Sequence, residues 1–119
     1  KMSFFENKEI KERKKELSLE PNDPAAHFNL GAAYDKAGKL HDAIKEFEAT
    51  IKIHPNSAEA HFNLGVLYES VNQGEKAIVH ILKAGNLFGD KNDAVNKMES
   101  RRLLKEFYRK FGFKPEDIE

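Results

Sequence analysis

An all-α array of stacked helix pairs is the fold this sequence predicts, and three observations predict it. The segment Ala26-His27-Phe28-Asn29-Leu30-Gly31-x-x-Tyr34 returns as Ala60-His61-Phe62-Asn63-Leu64-Gly65-x-x-Tyr68, and Ala43-Ile44 returns as Ala77-Ile78, all at an offset of 34 residues. A repeat of that length is one supersecondary unit that cannot bury its apolar face alone, so neighbours must stack. Apolar residues recur with helical period along the chain, and no stretch alternates with period two. Glycines sit inside two of the predicted helices, where each costs about 1 kcal/mol relative to alanine unless another helix must approach closely.

The elements follow in order within one domain, residues 1–119. Residues 3–19 form an N-terminal helix. Ile10, Leu17, Leu19, Pro21 and Asn22 lie 34 residues before Ile44, Ile51, Ile53, Pro55 and Asn56, so this helix resembles the second half of a unit whose first half is absent. Glu9 and Arg13 stand where the full unit has Ala43 and Phe47. The first repeat covers 24–56, with stripes Phe28, Leu30, Ala33, Tyr34, Ala37 and Leu40, Ala43, Ile44, Phe47, Ile51. Gly38 ends its first helix and Pro55 its second. The second repeat covers 58–90, with Asn72 and Gly74 in its turn. Gly31 and Gly65 are expected under the second helix of their own hairpins, with Ala43 and Ala77 as small counterparts. A long helix over 91–111 caps the array, Ala94, Val95 and Met98 aligning with Ala60, His61 and Leu64. Gly112 and Pro115 end it, and 112–119 is a tail.

His27-x-x-Leu30-Gly31-x-x-Tyr34 followed by Ala43, Phe47 and Pro55 resembles the tetratricopeptide (TPR) pattern, and His61, Leu64, Gly65, Tyr68, Ala77 and Ile81 repeat it. Histidine stands in both units where the family often has tryptophan. The resemblance implies a TPR-like helical array, two helix-turn-helix repeats flanked by the N-terminal helix and the capping helix. It also implies a scaffold or adaptor that binds a protein or peptide on the face of each unit's first helix. That face would carry Ala25, Phe28, Asn29, Ala32 and Asp35 from the first unit and Glu59, Phe62, Asn63, Val66 and Glu69 from the second. A peptide would lie across Phe28, Asn29, Phe62, Asn63 and Val66, its backbone bonded by the asparagines. The alternative is that Phe28 and Phe62 are only half-buried against neighbouring helices. The carboxylate clamp of one family sub-type lacks its first lysine and first asparagine here, where Phe28 and Ala32 stand.

Composition narrows the function further. Lys plus Arg and Asp plus Glu are both 20, so no global field favours nucleic acid or an anionic surface. There is no cysteine, which excludes thiol catalysis and cysteine-ligated zinc. No apolar run reaches the roughly 20 residues of a membrane span, and a cytoplasmic location is the default expectation. Phosphate loops, nucleophile elbows and His-Glu-x-x-His helices are absent, so no catalytic residue, metal or cofactor is expected. Of the histidines, His27 and His61 read as packing residues, with His41, His54 and His80 scattered elsewhere. Glu46, Glu48, Glu59 and Glu69 read as solvated. Two further surfaces stand as expectations. The N-terminal helix, with Phe4, Phe5, Ile10 and Leu17, offers a face for self-association. The C-terminal helix carries Arg101, Arg102, Lys105, Arg109 and Lys110 opposite the apolar face Leu104, Phe107, Tyr108 and Phe111. That basic surface is the rival reading, binding an acidic partner or, less favoured, nucleic acid.

Overall fold

The structure, a computed structural model, describes residues 4–119, with side chains from Lys8 onward. All its regular elements are helices: α1 (Phe4–Leu19), α2 (Pro24–Lys36), α3 (Leu40–Ile53), α4 (Ala58–Ser70), α5 (Gly74–Asp90), α6 (Ala94–Phe111) and the short α7 (Pro115–Ile118). The chain divides into two compact units, the first ending at Pro55 and the second spanning Asn56–Glu119.

In the first unit α2 and α3 form an antiparallel hairpin and α1 packs on α2. Asp23 starts α2, its carboxylate accepting the Ala25 N–H at 2.9 Å with Pro24 in the first turn, where a missing N–H costs nothing. A Cβ on Gly31 would lie 3.1–3.2 Å from the Phe47 ring. Hence α2 and α3 meet at glycine against aromatic ring. Ile10 of α1 is buried with Leu30 and Ala33, and Leu17 packs against the same cluster. These two members of the expected self-association face are therefore covered by α2, and the side chains of Phe4 and Phe5 lie outside the described residues. Glu9 is taken up by Lys36 (2.9 Å) and Arg13 by Glu16 (3.0 Å).

In the second unit α4 and α5 form the equivalent hairpin, and α6 packs on α5. Ala77, Ile78, Ile81 and Ala84 are buried along α5, as are Leu64, Leu67 and Tyr68 along α4. A Cβ on Gly65 would lie 2.4 Å from Ile81 Cγ1 and 3.2 Å from the Ala77 carbonyl oxygen. Both interior glycines thus lie under the second helix of their own hairpin. The bulk against them is Phe47 and Ile81, with Ala77 contributing its backbone.

One turn recurs four times. Gly38, Asn72, Asn92 and Gly112 each have φ between 59° and 76°. The residue after each donates its N–H to a carbonyl five residues back: Lys39 to Tyr34 (2.9 Å), Gln73 to Tyr68 (2.8 Å), Asp93 to Phe88 (2.9 Å) and Phe113 to Tyr108 (3.1 Å). This is the six-to-one bond that satisfies the last carbonyls of a helix. Glycine adopts that conformation without strain, and asparagine is the side chain that tolerates it best.

The Asn92 turn corrects the expected register of the capping helix. It lets α5 run to Asp90 and starts α6 at Ala94, with Asp93 capping the Asn96 N–H at 3.1 Å. Val95 and Met98, expected to align with His61 and Leu64, are 78% and 71% exposed, whereas Ser100 is 1% exposed. The spacing from Ser57, the cap of α4, to Asp93 is 36 residues. The same step carries Leu64 onto Ser100, so the inward face is shifted by two. Ser100 meets Gly85, whose added Cβ would lie 3.3 Å from the serine Cβ.

Candidate partner-binding faces

On α2, the expected contacts Phe28, Asn29 and Ala32 are half-buried, while Ala25 and Asp35 are exposed. Phe28, Ala32 and Asp35 follow helical spacing along one face, with Asn29 beside Phe28. The Phe28 ring is set edge-on to Phe47, centroids 5.2 Å apart at 69°, which fixes its orientation by the ring quadrupoles. On α4, Phe62, Asn63, Val66 and Glu69 are half-buried and Glu59 is exposed. Phe62 packs against Ala58, Ala84, Leu87 and Phe88, edge-on to Phe88 with centroids 6.4 Å apart. Each phenylalanine is therefore held by its own hairpin and keeps part of its surface open beside an asparagine. Glu69 is not a solvated acid, because it forms an ion pair with Lys110 of α6.

Sequence reasoning missed two polar contacts between hairpin helices. His27 Nδ1 lies 2.8 Å from Glu46 Oε1, and its Nε2 lies 2.8 Å from the Pro21 carbonyl oxygen. Both neighbours are acceptors, so the ring is oriented by one bond on each side. Glu46 is only 15% exposed and is not the solvated residue expected. At the equivalent place in the second unit, His61 Nδ1 lies 3.0 Å from His80 Nδ1, the rings stacked. One of these nitrogens must donate and the other accept. Tyr68 also stacks on His80, and the Lys76 ammonium lies 5.4 Å from the Tyr68 ring centre. His80 is thus part of this cluster rather than scattered from it. The signal was present: Glu46 and His80 stand 34 residues apart, each 19 after its histidine. Among the described residues no three acidic or histidine side chains gather as a metal site would require.

The basic helix is partly neutralised within its own unit. Arg102 bridges Glu99 (2.6 Å) and Glu106 (2.7 Å), and the guanidinium holds the Glu99 carboxyl below its ordinary range. Lys110 is occupied by Glu69. Arg101, Lys105 and Arg109 are exposed and form no ion pair among the described residues. On the opposite face Phe107 is buried and Phe111 lies against Gly74, whose added Cβ would come within 2.4 Å of the ring. Burial, then the hydrogen bond to Glu119, pushes the Tyr108 phenol up to about 12.

No helix among the described residues is long and apolar enough to cross a membrane. The chain matches the family described as "TPR repeat" over residues 34–72 and "Tetratricopeptide repeat" over 14–45. No curated protein matches it in sequence. Solved structures share its fold. A crystal structure of MamA superposes with a TM-score of 0.65 at 22% identity, covering 90% of this chain and 69% of that one. The MamA RS-1 ArsTM double mutant gives 0.62 at 25% identity, covering 88% and 67%. A further MamA crystal structure gives 0.64 at 23% identity, covering 88% and 63%. This chain therefore spans about two thirds of their length. The duplicated signature, the paired antiparallel helices and the two repeat matches make the chain a tetratricopeptide-repeat protein.

Proposed function

We propose that the chain is a non-catalytic scaffold in which the first helix of each repeat, α2 and α4, reads a peptide segment of a partner protein. Tetratricopeptide repeats imply protein–protein interaction; the choice of face is our own reading. The observation that carries it is the repeated pair of half-buried phenylalanine and half-buried asparagine, Phe28-Asn29 and Phe62-Asn63. An aromatic ring already fixed by packing offers contact area at little entropic cost, and the adjacent amide offers both a donor and an acceptor to a peptide backbone. Ala32 and Val66, one turn along, extend the apolar strip. Asp35 and Glu59 are the exposed acids beside it, favouring a partner that carries Lys or Arg.

The test compares affinity capture by the wild-type chain with a variant carrying Asn29→Ala, Asn63→Ala and Val66→Glu. None of these side chains is fully buried, so the variant's thermal melt is expected to match wild type. A partner lost by the variant supports α2 and α4 as the reading faces. A partner held equally by both refutes that assignment.

A further inference from the structure

A second surface lies within the Asn56–Glu119 unit and stands independently of the reading above. Helices α5 and α6 flank a cleft of about 660 Å³, the size of pockets that take a drug-sized ligand and ample for a few large apolar side chains. Leu82 and Asn86 of α5 form one wall, and Met98, Arg101 and Lys105 of α6 form the other. Gly85 and Ser100 are both buried and small, and their close approach fixes the two helices at that level. Met98 is 71% exposed, an apolar side chain with most of its surface still uncovered.

The charge around the cleft is mostly basic, from Arg101, Arg102 and Lys105. Arg101 and Lys105 are spaced four residues apart on one helix face, about 6 Å between neighbouring turns, and neither has an ion-pair partner among the described residues. The only acid on the lining is Glu119. It belongs to the segment Pro115-Glu116-Asp117-Ile118-Glu119, with three acids around one half-buried isoleucine, and it accepts the Tyr108 hydroxyl. Of that segment, the Glu119 carboxylate reaches the cleft lining, where it shares the surface with Arg101 and Lys105.

We propose that the α5–α6 cleft is a docking site for an acidic amphipathic helix of a partner protein. Its apolar side chains seat between Leu82 and Met98, and its carboxylates, one turn apart, meet Arg101 and Lys105. A helix is the occupant that fits, because the cleft runs between two packed helices and such grooves take i, i+3, i+4, i+7 anchors. Nucleic acid is disfavoured, since no aromatic side chain lines the cleft as a stacking surface.

The test is an isotope-labelled amide titration of the full chain. The probe is a synthetic 18-residue helix-forming peptide with leucines on one face and glutamates on the flanks, compared with its lysine-flanked counterpart and a short oligouridine. The acidic peptide is expected to shift Leu82, Asn86, Met98, Arg101 and Lys105 saturably. Arg101→Glu with Lys105→Glu is expected to weaken it at least about tenfold, and Met98→Glu to weaken it also. All three side chains are exposed, so the melts should not change. Shifts that are absent or that map elsewhere overturn the proposal. So does equal binding of the basic peptide, unchanged affinity in the charge-reversed chain, or a response to oligouridine alone.

Discussion

Replacing Gly65 with alanine adds one methyl group, and the structure says where it goes. Its carbon would sit 2.4 Å from Ile81 Cγ1 and 2.7 Å from Cδ1, with the Ala77 carbonyl oxygen 3.2 Å away. Ile81 is 1% exposed, so its branch cannot swing into solvent, and the backbone oxygen cannot retreat without moving α5. Overpacking of this kind costs about 1–3 kcal/mol, while alanine gains about 1 kcal/mol of helix propensity over glycine. A 2.4 Å approach belongs at the upper end of that range, about 2–3 kcal/mol, so the net expectation is a loss of about 1–2 kcal/mol. At roughly 2.1 cal/mol/K per residue, the 119-residue chain has an unfolding entropy near 0.25 kcal/mol/K, so Tm falls by about 4–8 °C. Gly31→Ala is the internal control. Its methyl meets only the Phe47 ring, at 3.1–3.2 Å, a contact relieved by a few tenths of an ångström, and propensity then cancels the cost to within about 1 kcal/mol. Thermal and urea melts followed by circular dichroism read both variants. Adding Ile81→Ala to Gly65→Ala removes the clashing atoms, so the double variant should be more stable than the sum of the two losses by about 1 kcal/mol or more. A Gly65→Ala chain that melts at or above wild type, or strict additivity with Ile81→Ala, refutes the close-approach explanation.

Three other outcomes are expected. Asn92→Ala forces an alanine into φ near 59° and should cost about 1 kcal/mol in urea midpoint analysis, whereas Asn92→Gly should be neutral or slightly stabilising. Asp93 is held below 3.8 first by the Asn96 side chain and then by its backbone N–H; its contribution is present above the ordinary carboxylate value and is lost as pH falls through the lower folded value, so Asp93→Asn should flatten the acid limb of the melt. Tyr108 should ionise near pH 12 in a titration read at the phenolate band. Because that value is raised from 10.0, the stabilisation is complete below about pH 10 and disappears as pH rises through about 12; Tyr108→Phe should remove that late step.

The 34-residue spacing made the hairpins legible, since Leu30, Gly31, Tyr34 and their partners Leu64, Gly65 and Tyr68 are fixed by packing that both units share. What failed was the assumption that the spacing continues. Asn92 takes the left-handed turn at a place where nothing in the alignment demands one, and three residues of extra helix then shift α6 by two. Proline marks a helix end in sequence, but a left-handed asparagine reads like any polar loop residue. Glu46 and His80 were overlooked for a different reason. Taken alone, each sits on a helix face rich in charge; only applying the repeat offset to polar positions, not just apolar ones, pairs them with His27 and His61. The candidate faces on α2 and α4 were legible as positions, but not in their charge. The Lys110–Glu69 ion pair joins residues 41 apart and depends on how α6 lies in its unit, which no local pattern encodes.

That ion pair also decides how a chain of zero net charge can discriminate partners. Without a global field, selectivity has to come from charges left over once the protein has paired its own. In the Asn56–Glu119 unit, Lys110 removes Glu69 from the acids of α4, and Glu99 and Glu106 remove Arg102 from the bases of α6. Among the charges that remain, Glu59 lies beside the Phe62 strip, and Arg101 with Lys105 lies beside Met98. These charges stand next to uncovered apolar surface, so a partner that matches both features gains most. Burial in the apolar strip then supplies affinity, and the neighbouring charge selects among candidates of similar shape. On the two proposals made here the faces would select for opposite signs, so a basic segment and an acidic one would not compete for one site.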